Sequence, residues 1–340
     1  MQIEAVDLFC GVGGLTAGLI KSGIKVKAGY DIAEECHFAY EYNNKAIFVH
    51  KDVADVTASE ISSWYSKGSI RLLAGCAPCQ PFSTYNQGKD TTKDKKWPLL
   101  YHFSRLIKEV KPELVTMENV PEVIKHKVYQ DFVDELKLLG YAVFSKEVVC
   151  VQYGIPQTRK RHVVLASKIG YIELLPPTHI KPVTVKQVIG KLEPLHAGEK
   201  STKDPLHIAA KLSELNLQRI KKSIPGGTWR DWPEDLRAEC HKKQSGKSYP
   251  AVYGRMEWDK PAPTMTTLCF GFGNGRFGHP EQNRGISLRE AALFQTFPKN
   301  YQFTETPQKI NFKGVGRMIG NAVPVRLGEI IGMSFKTLIQ

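Results

Sequence analysis

The sequence predicts an α/β fold: a mostly parallel sheet with helices on both faces, followed by a smaller, irregular region. Three observations lead there. Short apolar runs alternate with helix-like segments through the first half of the chain, the rhythm of successive β–α–β units. Glycines crowd the turn after the first apolar run, at GVGG from Gly11 to Gly14. The alternation then fades near Ile172. From there PPTHIKP marks a boundary, and Gly, Pro, Lys and aromatic residues dominate until about Gly285.

The elements follow in order. IEAVDLF is a short buried strand, and LTAGLIKSG a helix ending at Gly23. KVKAGYD is a second strand, EECHFAYEYNN a second helix, and AIFVHKDV a third strand. SIRLLAGCAP is a fourth strand running into a loop. YHFSRLIKEVKP is a helix with Leu106, Ile107 and Val110 on one side, the spacing of an amphipathic face. ELVTMENV is another strand, VYQDFVDELKLLG a helix, and AVFSKEVV and RHVVLAS later strands. SIPGGTWRDWP and LCFGFGNGRFGHP read as loops or short irregular strands. Regular structure returns with helices at ISLREAALFQTF and VRLGEIIGMSFKTLI. In such a sheet, ligands gather at the carboxyl ends of the strands.

Bulk properties narrow the class. The 340 residues, 42% hydrophobic and 24% charged, can build an ordinary core without staples. Seven cysteines spread from Cys10 to Cys269 form no disulfide framework. The opening MQIEAVDLF lacks the basic start and apolar stretch of a signal peptide. No window approaches the ~20 apolar residues of a membrane span. These features point to a cytoplasmic, soluble protein. A net charge of +13 and a pI near 9.3 suit a polyanionic partner without separating DNA from RNA.

The segment from Val6 to Leu15 joins a strand to a helix through close glycines, which let a ligand approach the backbone. A plain tight turn is the competing reading. Two acids favour a nucleoside ligand: Asp31 ends the second strand and Asp52 the third. The first suits a ribose diol and the second an adenine amino group. Phe9 could stack on the adenine or belong to the core.

GCAPCQPFS, from Gly75 to Ser83, holds a CxxC pair, Cys76 and Cys79, on a proline-constrained backbone. A redox pair would be expected just before a helix, whereas a polar run follows here. A zinc site would need two more ligands, and Cys150, His162 and His179 lack finger-like spacing. A nucleophilic Cys79 at a strand end fits best. Glu118 in MENV would emerge at the same sheet edge, either solvated or holding a base. In QTRKR, Gln157, Arg159 and Arg161 alternate onto one side. That side is an exposed basic edge, or else Arg161 reaches a base carbonyl while Arg159 braces the loop or a phosphate.

Taken together, these motifs resemble those of the DNA (cytosine-5)-methyltransferase family of the bacterial restriction–modification or orphan type. They run in family order: DLFCGVGG, the acidic strand end at Asp31, KDV, GCAPCQPFS, ENV, QxRxR leading into RHVVLA, REAALFQTFP and GNAVP from Gly320 to Pro324. They cover residues 5–167 and roughly 286–340. The resemblance implies a Rossmann-like S-adenosylmethionine-dependent methyltransferase fold. It implies catalytic and cofactor binding in residues 1–172, target recognition in 173–285, and a hinge with return to the catalytic domain in 286–340.

By motif position, the resemblance places Phe9, Gly11, Gly13, Asp31, Asp52, Val53, Pro78, Leu99 and Asn321 around S-adenosylmethionine. It makes Cys79 the nucleophile, has Glu118 and Arg161 hold the target cytosine, and has Arg159 support them. The stretch from Gln80 to about Trp97 resembles the mobile catalytic loop. No metal is required. The implied chemistry is thiolate addition at cytosine carbon 6, which makes carbon 5 enamine-like, on a base flipped out of the duplex. Two departures stand out. Asp31 occupies the usual glutamate position and is one methylene shorter. Cys76 is an extra thiol, expected near the cofactor wall without a catalytic role.

The region between Ile172 and Gly285 carries 18 Lys or Arg against 12 Asp or Glu, so Lys242, Lys243, Lys247, Arg255, Arg276 and Arg284 are candidate DNA contacts. WRDW, Trp229 to Trp232, is a contact loop or a packing element between domains. PTMTT, from Pro263 to Thr267, and FGHP, from Phe277 to Pro280, resemble braces. The implied partner is double-stranded DNA, at the nucleoid, with a cognate restriction endonuclease not needed in complex. The expected state is a monomer. The alternatives are a tRNA cytosine-5 methyltransferase and a catalytically limited DNA-binding subunit.

Overall fold

The computed structural model describes residues 2–78, 98–244, 246, 249–306 and 309–339. Cys79, the segment from Gln80 to Trp97 and Lys247 lie outside the described residues. Strand β1 (Ile3–Leu8) is buried along its whole length. Ile3 and Ala5 enter one apolar cluster, Val6 and Leu8 another, because successive side chains leave opposite faces of a central strand. Helix α1 (Gly14–Lys21) leads to β2 (Lys25–Asp31), and α2 (His37–Asn44) to β3 (Ile47–His50). Helix α3 (Ala58–Ser63) precedes β4 (Ile70–Gly75), α4 (Pro98–Val110) precedes β5 (Leu114–Asn119), and α5 (Lys127–Leu138) precedes β6 (Ala142–Val149) and β7 (Lys160–Ser167).

Among the described residues the sheet order is β3-β2-β1-β4-β5-β7-β6. The pairs from β3 to β5 are parallel, as expected, whereas β7 runs antiparallel to both β5 and β6. The reversal has a simple cause. The segment 150–159 between β6 and β7 is a short turn with no crossover helix, and parallel pairing needs a longer connection.

The rest of the chain adds α6 (Val185–Ile189), α7 (Glu214–Lys222), α8 (Glu239–Lys242), α9 (Leu288–Phe294), α10 (Phe312–Asn321) and α11 (Val325–Lys336). Leu15 and Leu19 of α1, Tyr40 of α2, and Leu327, Ile330 and Phe335 of α11 cover one sheet face. Ile61 of α3, Leu106 of α4 and Phe132 of α5 cover the other. The C-terminal helix thereby closes the N-terminal half. Helix α10 was not foreseen: Gly314, Gly316 and Gly320 depress its helix propensity, but burial of Val315 and Ile319 against the core selects it.

The region 173–285 holds short helices, turns and isolated bridges rather than irregular strands. Part of it, including Val185, Met256 and Phe277, shares the large cluster with the N-terminal half. A separate small core gathers Ile220, Trp229, Trp232, Leu236 and Phe272. The two tryptophans of the WRDW run therefore pack within this small core rather than between domains, while Arg230 and Asp231 stay exposed. Trp229 stacks on His241 with ring centroids 4.3 Å apart, and Trp232 Nε1 donates to Ser223 Oγ at 2.9 Å.

Two proposed DNA contacts are also corrected. Arg255 is buried and donates to the carbonyls of Ile220, Ser223, His279 and Gln282. Arg284, fully buried, forms a two-pronged pair with Glu290 at 2.7 and 2.8 Å. Its guanidinium satisfies a carboxylate that also caps α9 by accepting from the Ser287 backbone. Arg276 Nη1 donates to the Gly227 carbonyl, whereas Lys242 and Lys243 are exposed.

Removal of one partner from a buried ion pair strands the other charge. Arg284→Ala is expected to lower stability by about 3–5 kcal/mol, measured by urea unfolding at neutral pH.

Candidate active site

The site lies at the carboxyl edge of the sheet and is assembled strand by strand. After β1 the backbone turns sharply. Phe9 adopts φ 58°, Gly11 φ 50° and Gly13 φ 85°. A positive φ at phenylalanine is uncommon and costs energy. Phe9 is half-buried against the cluster beneath α4. A Cβ on Gly11 would meet nothing within 4 Å, so this glycine faces open space. The other face of Gly13 abuts Asn44, Tyr40 and Tyr301 instead.

Asp31, at the end of β2, holds the glycine turn. Its Oδ2 accepts from Gly11 N at 2.8 Å and its Oδ1 from Ala33 N at 2.9 Å. Burial raises this carboxyl above its ordinary range. On the neighbouring strand end, Asp52 Oδ1 caps the turn Val53–Asp55 by accepting from Ala54 N at 2.9 Å, with Val53 buried beneath it. The return segment closes in from the far end of the chain. Gly14 lies against the Val323 carbonyl, and the exposed Asn321 accepts from Thr267 Oγ1 at 2.7 Å.

Sheet register builds the second half of the site. Gly75 of β4 pairs with Met117 of β5, and the backbone continues in line, since Cys76 N donates to Leu8 O at 3.3 Å. One step further, Cys76 faces Glu118 across the strand gap, and its Sγ donates to Glu118 Oε2 at 2.8 Å. From the other side β7 pairs Val163 with Glu118. Arg161, two residues away and on the same face, brings Nε to 2.9 Å from Glu118 Oε1. That contact is an ion pair without good hydrogen-bond alignment, and Oε1 has no aligned donor. Glu118 is only 2% exposed.

Asn119 Nδ2 donates to Ala77 O at 3.1 Å, fixing the backbone just ahead of Pro78 and the nucleophile candidate Cys79. Pro78 and Leu99 are both half-buried, on either side of the segment outside the described residues.

Arg159 is buried, so it does not track a phosphate backbone. Its Nη1 donates to Met265 O at 2.9 Å. Burial, reinforced by Arg161, lowers its pKa to about 10, partly offset by Glu118. Gln157 completes the brace: its Oε1 accepts from Met265 N and its Nε2 donates to Phe294 O and Gln295 Oε1. The PTMTT run is thus tied to both the QTRKR run and Asn321.

Four described cysteines are buried: Cys10, Cys36, Cys150 and Cys269. Burial pushes the Cys150 thiol up to about 11 and that of Cys269 to about 12, and raises Cys10 and Cys36 as well. Such thiols are poor nucleophiles at neutral pH. Among the described residues no cluster of His, Cys, Asp and Glu could hold a metal ion. No described helix is long and apolar enough to cross a membrane.

Comparison with known proteins agrees with this geometry. The family described as C-5 cytosine-specific DNA methylase matches residues 3–337. The chain belongs to that family. It is therefore a DNA cytosine-5 methyltransferase.

The enzyme is 52% identical to the type II methylase M.HgiDII of Herpetosiphon aurantiacus, over 98% of this chain and 95% of the relative. It is 30% identical to the type II methyltransferase M.Eco47II of Escherichia coli, over 98% and 79%. A solved DNA modification methyltransferase encoded within an E. coli prophage shares the fold, with TM-score 0.76, 22% identity and 99% coverage of both chains. Schizosaccharomyces pombe Dnmt2 methyltransferase shares it at TM-score 0.64 and 16% identity, with 99% coverage of both.

The sequence reading passed over Asp7, which lies in the first motif of the methyltransferase. This residue is fully buried, accepts from Thr16 Oγ1 at 2.7 Å through Oδ2, and leaves Oδ1 without a partner. Burial raises its carboxyl from 3.8 to about 7; Asp31 adds to the shift, and Thr16 opposes it. Its stability contribution is complete below about pH 3.8, where both folded and unfolded forms are protonated, and is lost as pH rises toward 7. Asp7→Asn keeps an acceptor for Thr16 and removes the titration. Its Tm relative to the wild type should therefore climb between pH 4 and 7 and level off above that, as followed by calorimetry.

Proposed function

We propose that the enzyme transfers the methyl group of S-adenosylmethionine to carbon 5 of a flipped-out cytosine in a specific double-stranded DNA sequence, through a covalent adduct with Cys79. The carrying observation is the buried carboxylate of Glu118. It is held beside Arg161 at the sheet edge, one strand from the backbone that enters Cys79.

The residues present fit the cofactor. Gly11 turns its hydrogen face to open space, and a Cβ there would fill that cradle. Each oxygen of Asp31 has accepted one backbone N–H and retains a lone pair for a ribose hydroxyl. Asp52 and Val53 would meet the adenine, with Phe9, Pro78, Leu99 and Asn321 forming walls and Gly13 shaping the turn. When bound, S-adenosylmethionine supplies an electrophilic methyl on a sulfonium sulfur. No other group is needed to activate it.

The chain's own residues prepare the base. The Cys79 thiolate adds to carbon 6 with a lone pair that becomes the carbon–sulfur bond, and the displaced π pair of the carbon 5–carbon 6 double bond makes carbon 5 nucleophilic. Glu118 accepts from the exocyclic amine and shares a proton with N3, and Arg161 donates to the O2 side. Their worth lies in strengthening as ring charge develops. Arg159, locked to Met265, braces the floor. After loss of the carbon 5 proton, Cys79 leaves as thiolate. Flipping the base costs roughly a few kcal/mol, which phosphate contacts from exposed lysines of the recognition region, residues 173–285, help to offset. The type II names of the relatives support a role in restriction–modification, with DNA as the substrate.

Two outcomes follow. Cys79→Ser should abolish labelled methyl transfer to duplex DNA while leaving DNA and cofactor binding largely intact. Mass spectrometry of wild-type product should show 5-methylcytosine, with total tRNA unlabelled. Gly11→Ala places a side chain at positive φ in the cradle and should weaken S-adenosylmethionine binding about tenfold or more in calorimetric titration, the effect of roughly 1.4 kcal/mol.

A further inference from the structure

The geometry points to Cys76 as a positioning residue for Glu118. The inference rests on the reading of Glu118 as the group that holds the cytosine. Three observations carry it. First, the parallel register of β4 and β5 ends at Gly75 opposite Met117, and one residue beyond it Cys76 reaches the side chain of Glu118. Second, the contact is specific: Sγ to Oε2 at 2.8 Å, with Arg161 Nε on the other oxygen, Oε1. Third, Glu118 is buried, and among the described residues the aligned hydrogen bond to its side chain comes from Cys76, since Arg159 Nη1 donates to Met265 O and Asn119 Nδ2 to Ala77 O.

A carboxyl group can rotate about its terminal torsion, which is broad and nearly two-fold. With Arg161 alone, poorly aligned, that torsion is weakly held. An aligned donor on Oε2 beside the Arg161 charge at Oε1 defines the plane of the carboxylate and hence the direction in which it meets the base edge. A thiol is a weak donor, but a charged acceptor strengthens the bond. Cys76 thus acts through Glu118 and forms no bond to substrate.

The experiment compares Cys76→Ala, Cys76→Ser, Glu118→Gln and the Cys76→Ala/Glu118→Gln pair in steady-state methylation of duplex DNA. Cys76→Ala should lower kcat about fivefold, the scale of one weak charge-assisted hydrogen bond, with KM for DNA and for S-adenosylmethionine within about twofold of the wild type. Cys76→Ser, which retains a donor, should restore kcat to within about twofold. In the Glu118→Gln background the Cys76→Ala change should have little further effect, because the group it orients has been altered. Unchanged kcat in Cys76→Ala would overturn the inference. So would equal losses from Cys76→Ala in both backgrounds, the mark of general loosening of the strand end. A Tm shift for Cys76→Ser with no recovery of kcat would do the same. Failure of the underlying reading is separately visible: Glu118→Gln would then keep full activity whatever stands at position 76.

Discussion

The surroundings of Glu118 depend on the alignment of three neighbouring strands, β4, β5 and β7. Glu118 is a charged side chain in an almost fully buried place, where an unpaired carboxylate would be prohibitively costly. It is tolerated because a thiol just past the β4 end donates to one oxygen and the guanidinium charge of Arg161 on β7 faces the other. A slip of one residue in either pairing would turn these groups to the opposite face. The antiparallel insertion of β7 brings Arg161 beside Glu118 on β5.

The other half of the site depends on backbone shape rather than charge pairing. The turn after β1 forces a phenylalanine and two glycines into positive φ, and Asp31 anchors the turn through Gly11 N–H. A carboxylate one methylene shorter than the usual glutamate lies close to its own strand end, and this backbone bond uses that short reach. The glycine turn is thus bounded by the main chain and flanked by Val323, which arrives from the far end of the sequence.

Those two halves are joined by elements whose purpose is mechanical. Gln157, Arg159 and Met265 link the β7 entry to the PTMTT run, and Thr267 carries that link to Asn321. Arg284, Glu290 and the Ser287 cap secure the start of α9. Several basic residues that charge alone would assign to DNA are spent on this framework. The net positive charge of the region 173–285 consequently overstates the positive charge at its surface.

The alternation of strands and helices, the glycine turn and the ordered motifs were legible from the sequence, because local periodicity and turn chemistry are written residue by residue. So were Asp31, Glu118 and Arg161 as members of one sheet edge, since strand ends in such a sheet share a side. The sequence by itself could not separate Arg159 as brace from Arg159 as phosphate contact, nor Arg255 and Arg284 from surface cations. It could not place WRDW in a small core, foresee α10 through its glycines, or bring a thiol on β4 against a carboxylate on β5. Each of these depends on which distant segments pack together. Burial and long-range partners, which decide the energy of a charged or aromatic side chain, exist only once the tertiary structure has formed.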